Sequence, residues 1–277
     1  MREKFLKGKT AMITGGASGM GRAIALLLAE SGADVAIGSL LSGKATNAEG
    51  EVNFLPGEQM MEETKKEIEA HGVQCLAMNL DVTKDDSVTE FVYKTKVRFG
   101  KIDILANCAG ITAEQKISNH PDSAWMKVIE VNLNGTYRAI KRVLPGMIEH
   151  KWGRIINIAS TAASVGAVTS GAYCASKAGV VGLTRCVALE GAAHGVTCNS
   201  ISPGWTNSNF GRDWMSDIAV KQENRSGDEY IEDSKKANPQ GRLIETSEIA
   251  ELALYLCRDG AQAMTMQDLT LSAGSLW

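Results

Sequence analysis

Along the chain, short runs of consecutive apolar residues alternate with longer stretches in which apolar residues recur every three or four positions. The first pattern predicts strands buried on both faces, the second amphipathic helices. Lys9 to Thr14 is such a run; it breaks at Gly15-Gly16, and Gly21 to Ser31 follows a helical Ala/Leu pattern. Ala33 to Gly38 predicts a second strand, Glu58 to Ala70 a charged helix, and Gln74 to Leu80 a third strand ending at Asp81. A helix opened by Val82-Thr83-Lys84-Asp85-Asp86 leads to a fourth strand, Ile102 to Asn107, and a helical segment from about Ala124 to His150 leads to a fifth, Arg154 to Ala159. The Ala-rich run Ala172 to Leu189 predicts a helix, Val196 to Ile201 a sixth strand, Glu245 to Arg258 a helix, and Met266 to Leu271 a last strand. Strands alternating with helices imply an α/β fold with a doubly wound, mostly parallel sheet covered on both faces. No repeat or linker divides residues 1–277, so one domain is expected.

Two segments break the rhythm. Residues 42–57, SGKATNAEGEVNFLPG, form a polar Gly-rich loop longer than the usual ~2–6 residues. Residues 205–238 mix Trp205, Phe210, Trp214, Met215 and Tyr230 with many charges. Aromatics in a polar stretch between strand and helix predict a substrate-binding lid over a pocket, with an ordinary surface helical excursion as the alternative.

Composition narrows the partners. The 29 basic and 32 acidic residues leave a net charge of −3, and the basic ones are scattered, so nucleic acid is not expected. No apolar run reaches the ~18 residues of a membrane span, and MREKFLKGKTAMITGG lacks the apolar core of a signal peptide. The six cysteines are widely spaced, without a C-x-x-C pair or a histidine partner. They read as small buried hydrophobes of a cytoplasmic protein, and no metal site is expected.

The candidate chemistry lies where predicted strands end. Thr14-Gly15-Gly16-Ala17-Ser18-Gly19-Met20-Gly21 is a glycine turn between a first strand and a helix. Its bare backbone can approach a pyrophosphate while the helix start favours the anion. The end of the second strand normally selects the dinucleotide, by a carboxylate on a ribose 2′-OH or an arginine on a 2′-phosphate. Ser39-Leu40-Leu41 supplies neither, and Lys44 is the cation close by. The 42–57 loop has either a role near the adenosine end or none beyond surface decoration. Asp81 is placed to cap the next helix or to face a ligand, and Cys108-Ala109-Gly110 ends the fourth strand with small residues. Asn132 stands inside a helical pattern, where asparagine is mildly unfavourable. Tyr173 and Lys177, four apart on a predicted helix, share one face, with Ser160 at the end of the fifth strand. A phenol titrates near ~10, and a neighbouring ammonium would favour phenolate.

Taken in order, Thr14-Gly15-x-x-x-Gly19-x-Gly21, Asp81, Asn107-Cys108-Ala109-Gly110, Asn132, Ser160, Tyr173-x-x-x-Lys177 and Pro203-Gly204 resemble the short-chain dehydrogenase/reductase family, with classical rather than extended glycine spacing. The resemblance implies a Rossmann-like domain that moves a hydride between a nicotinamide dinucleotide and a secondary alcohol or ketone. In it Tyr173 is the acid/base, and Lys177 lowers its pKa and binds the nicotinamide ribose. Ser160 holds the substrate oxygen, and Asn132 helps hold a water-mediated proton path. The implied cofactor contacts are Gly15, Ser18, Gly19, Met20, Gly21, Ser39, Leu40, Asp81, Val82, Asn107, Ala109, Gly110, Tyr173, Lys177, Pro203, Gly204, and Ser208 with Thr206 as its rival. A homotetramer or homodimer built partly on the helices of Asn132 and Tyr173 is also implied. The alternative is a non-catalytic dinucleotide-binding sensor, which would be expected to lack a catalytic residue.

Cys108 stands where the family usually has asparagine, and Ser208 where it usually has threonine. Residues 172–184 and Pro203-Gly204-Trp205 are similar to the 3-hydroxybutyrate dehydrogenase branch, which tilts the cofactor expectation toward NAD over NADP. That branch binds its substrate carboxylate with polar groups where this chain has Ala162 and Thr112. A neutral secondary alcohol, cyclic or polyol-like, is therefore the expected substrate.

Overall fold

A computed structural model describes residues 3–43 and 51–275. Seven strands form the main sheet: β1 (Thr10–Thr14), β2 (Asp34–Ser39), β3 (Cys75–Asn79), β4 (Ile104–Asn107), β5 (Gly153–Ile158), β6 (Val196–Pro203) and β7 (Asp268–Leu271). Their spatial order is β7-β6-β5-β4-β1-β2-β3, every neighbour parallel, as the alternating pattern predicts. The connecting helices are α1 (Gly19–Glu30), α2 (Glu58–Glu69), α3 (Asp85–Phe99), α4 (Asp122–Ile129), α5 (Gly135–Glu149), α6 (Gly171–Ala192), α7 (Asn209–Gln222), α8 (Gly227–Ala237) and α9 (Thr246–Leu256).

The strand period of two sorts side chains between two cores. Ala11 and Ile13 of β1 join Ile24 and Leu28 of α1 and Ala250 and Leu254 of α9 on one face. Met12, between them, joins Phe91 of α3, Val143 of α5 and Val187 of α6 on the other. Strand order reverses between β1 and β4, so the chain leaves these two neighbours in opposite directions and opens a crevice at their carboxyl ends. The glycine turn and Cys108-Ala109-Gly110 meet there, and the Cys108 N–H donates to the Thr14 carbonyl at 3.1 Å.

The predicted helix from 124 to 150 is interrupted. Glu130–Asn134 is a π-helical turn between α4 and α5, and it carries Asn132. Apolar spacing alone does not betray the extra residue, because Val128, Val131, Gly135 and Ala139 keep helix-like intervals across it. Asp81 does not cap α3, which starts at Asp85 after Lys84. Its carboxylate instead closes a tight turn, accepting from the Thr83 N–H at 2.9 Å and the Thr83 hydroxyl at 2.7 Å. Much of 205–238 is regular: α7 and α8 begin at Ser208 and Ser226, whose hydroxyls accept from the N–H groups of Gly211 and Glu229. Within the long loop, Glu51–Val52 pairs antiparallel with Thr112–Ala113, beyond the end of β4. Lys44 lies outside the described residues.

Candidate active site

The crevice has two halves. The first is floored by the glycine turn. A Cβ on Gly21 would stand 2.2 Å from the Gly15 carbonyl oxygen, so only glycine lets α1 start this close to β1. The N–H groups of Gly15 and Gly16 donate to the Gly38 carbonyl, and that of Ala17 to the Ser39 hydroxyl, so the end of β2 holds the turn in place. The first turn of α1 carries no acidic side chain, which leaves its dipole to favour an anion. Gly15, Ser18, Gly19, Met20, Gly21, Ser39, Leu40, Asp81, Val82, Ala109 and Gly110 all line this groove. Asn107 does not. It lies a layer below, its amide donating to the Asn157 carboxamide oxygen at 2.8 Å while its own oxygen is buried without a partner.

The second half is a cavity walled by Ser160, Tyr173, Pro203, Gly204, Trp205, Thr206, Trp214 and Tyr230. The two halves meet at Met20, Ser208 and Phe210, which line both. Ser208 thus sits at the junction, whereas Thr206, its hydroxyl donating to the Gly204 carbonyl at 3.0 Å, lines the second half.

Tyr173 and Lys177 lie on the inner face of α6, in step with the core residues Val180, Val181 and Thr184. The ammonium stands 5.5 Å from the Tyr173 ring centroid and donates to the Ile158 carbonyl at 2.8 Å, just below Gly110. Burial lowers the Lys177 pKa to about 8. Burial likewise pushes the Tyr173 phenol above its ordinary value; a hydrogen bond with Ser160 opposes this, while Cys174 and Glu114 reinforce it. Among the protein's own groups, burial is therefore the largest influence on the phenol. The Asn132 carboxamide brackets the residue after Gly110: its oxygen accepts from the Ile111 N–H and its nitrogen donates to the Ile111 carbonyl, both at 2.9 Å. The same nitrogen reaches the Ser176 hydroxyl at 2.9 Å, so the side chain ties the end of β4 to the helix of Tyr173.

Residues 9–219 match the family model of the short chain dehydrogenases. The chain belongs to that family. It is 33% identical over 266 residues to a 3-oxoacyl-[acyl-carrier-protein] reductase of Staphylococcus epidermidis, covering 96% of this chain and 98% of the relative. It is also 33% identical over 270 residues to the oxidoreductase YxjF of Bacillus subtilis, with 97% and 98% covered. Among solved structures it resembles an actinorhodin polyketide ketoreductase variant with NADPH (TM-score 0.87, 33% identity, 96% of both chains). It also resembles an NAD+-bound xylitol dehydrogenase (TM-score 0.86, 27% identity, 98% of this chain and 100% of the other).

On this short-chain dehydrogenase scaffold, the second half of the crevice is aromatic and uncharged. Trp214 stands edge-on to Tyr173 (4.7 Å between centroids) and to Trp205 (5.0 Å), with Phe210 at 5.8 Å. No charged side chain lines it among the described residues. Ala162 packs into this cluster, and the Thr112 hydroxyl is turned away to donate to Glu114 at 2.9 Å. Two residues here escape sequence reading. Val52 leaves the long loop to pack with Tyr173 and Trp214, and Glu114 is buried behind them. The only sequence signal for Val52 was an apolar residue inside a polar loop, and Glu114 had none.

Proposed function

We propose that this short-chain oxidoreductase reduces a neutral ketone, or oxidises the corresponding secondary alcohol, with Tyr173 as the proton-transfer group. The observation that carries this reading is the uncharged aromatic cavity that holds Ser160 and Tyr173 in its wall where it opens into the glycine-floored groove. That groove suits a nicotinamide dinucleotide: a backbone cradle that any Cβ at Gly21 would fill, and an anion-favouring helix start. Gly15, Ser18, Gly19 and Met20 would hold the diphosphate, and Leu40, Asp81 and Val82 the adenosine. When bound, the dinucleotide supplies or accepts the hydride.

The protein's own groups handle the proton. The Ser160 hydroxyl orients the reacting oxygen, and the Tyr173 phenol, kept protonated by burial, is in the form that donates to a carbonyl. Lys177, fixed to Ile158, supplies positive charge beneath Gly110. Asn132 spends its amide hydrogens on Ile111 and Ser176, so it supports a proton path by fixing those residues.

A neutral cavity would leave the carboxylate of a 3-hydroxybutyrate unpaired, and a cyclic or polyol-like substrate suits it better. NAD is preferred over NADP. Glu51 and Asp81 line the groove, Lys127 is its one lining cation among the described residues, and Arg22 is engaged by Glu67 at 2.6 Å. Residues 205–238 act as the lid. The exposed Tyr93 and Val97 of α3, Tyr137 of α5 and Leu189 of α6 offer a surface for a homodimer or homotetramer.

The test is incubation with NAD and NADP across a panel of secondary alcohols and ketones, together with measured affinities for both dinucleotides. Dinucleotide binding with no turnover on the panel would overturn the catalytic reading in favour of a sensor.

A further inference from the structure

Glu114 is 7% exposed and receives four donors, all of them neutral. One carboxylate oxygen accepts from the Thr112 hydroxyl and the Trp214 indole N–H, each at 2.9 Å. The other accepts from Thr169 at 2.7 Å and Ser170 at 2.8 Å. A buried carboxylate is expensive unless its acceptor positions are filled. Here they are filled from three separate segments: the edge beyond β4, the start of catalytic helix α6, for which Ser170 is the N-cap, and lid helix α7. The negative charge also suits the positive end of α6.

We propose that Glu114 is a positioning residue that locks the Trp214 indole of the lid against Tyr173, so that the pocket wall and the proton-transfer group keep one fixed relation. Trp214 is the cavity-wall ring that packs edge-on against Tyr173, at 4.7 Å between ring centroids. A second tie runs in parallel from the far end of α7, where the Gln222 amide donates to the Thr169 hydroxyl at 2.8 Å. Thr169 is held at φ 71°, an unfavourable conformation for a β-branched residue, and its carbonyl accepts from the Gln115 N–H at 2.9 Å. The groups that act on the Tyr173 phenol are Ser160, Cys174 and Glu114 itself, with Lys177 beside the ring.

The role rests on the proton-transfer reading of Tyr173, and the experiment separates the two. In 15N-labelled protein the Trp214 indole signal is identified by its loss in Trp214→Phe. In Glu114→Gln that indole N–H should exchange with solvent about tenfold faster, while those of Trp125 and Trp152 keep their rates. With cyclohexanone and the preferred reduced dinucleotide as probes, Glu114→Gln and Trp214→Phe should each lower kcat/KM about tenfold. The double variant should lose no more than either alone. Unchanged indole exchange, or losses that multiply in the double variant, would overturn the proposal. Tyr173→Phe should lower kcat about 10³-fold and leave indole protection intact. If it turned over at the wild-type rate, the proton-transfer reading would fall, and indole exchange would still decide whether Glu114 holds the lid.

Discussion

The two halves of the crevice are built from different materials. The first half is floored by main chain: the glycine turn and the first turn of α1, set against the ends of β1, β2 and β4, which are fixed by neighbours in a parallel sheet. The other half is walled by side chains: Trp205 just beyond the end of β6, Phe210 and Trp214 of α7 and Tyr230 of α8, with Trp205 edge-on to Trp214 and Phe210 tilted against it. A backbone floor accepts any molecule with the right charge and spacing, which under the proposed function suits a shared cofactor. A side-chain site changes with each substitution, which under the same reading makes it the place of substrate choice.

Breaking the chemistry that joins the halves should have the largest effect. Tyr173→Phe removes the phenolic proton without disturbing the ring stack on Trp214, and kcat should fall about 10³-fold with dinucleotide affinity retained. Gly21→Ala attacks the main-chain half alone. With a Cβ forced to 2.2 Å from the Gly15 oxygen, the turn must open, and dinucleotide affinity measured by calorimetry should drop about 100-fold.

Lys177→Met tests what the buried ammonium does to stability. The Lys177 pKa falls from 10.5 unfolded to about 8 folded, so below pH 8 the folded chain carries the full penalty of a buried charge. The variant should be more stable at pH 7 by about 2 kcal/mol, less than the full shift implies because the Ile158 carbonyl loses its donor. Its advantage should vanish as pH rises from about 8 to 10.5, where the wild-type penalty is relieved; denaturant titrations at several pH values would read this. The smallest effect belongs to Trp205→Ala, expected to lower kcat/KM for a cyclic ketone about tenfold and leave dinucleotide affinity within about twofold. Equal losses in both would show that the halves are not separable.

The same contrast explains what was legible in the residues alone. The strands, the glycine turn and the Tyr173–Lys177 face depend on local spacing, and a period of two or four can be counted along a sequence. The partner of Val52 is more than a hundred residues away, and nothing local marks a two-residue strand inside a polar loop. Glu114 reads as one more polar residue after a strand, because its four donors come together only when α6 and α7 have docked. Asp81 resists a local reading for a related reason: its position offers a cap for the next helix or a ligand contact, whereas in the fold its carboxylate closes a turn with Thr83 at the groove wall. The raised pKa of Tyr173 could not be read from its spacing to Lys177, since burial is a property of the whole fold.

The π turn at Glu130–Asn134 has a further consequence for how this chain can change over time. A continuous α-helix from Asp122 to Glu149 would need one residue fewer, and such a deletion would improve the helix. The wider turn already takes up the extra residue within one revolution, so α4 and α5 would keep their faces and only the residues inside the turn would move. Asn132 would then leave the Ile111 peptide it brackets. Under the proposed function, a single-codon loss at this point would be tolerated by the fold and rejected by the chemistry, so the irregular turn is a place where selection for activity opposes selection for a regular helix.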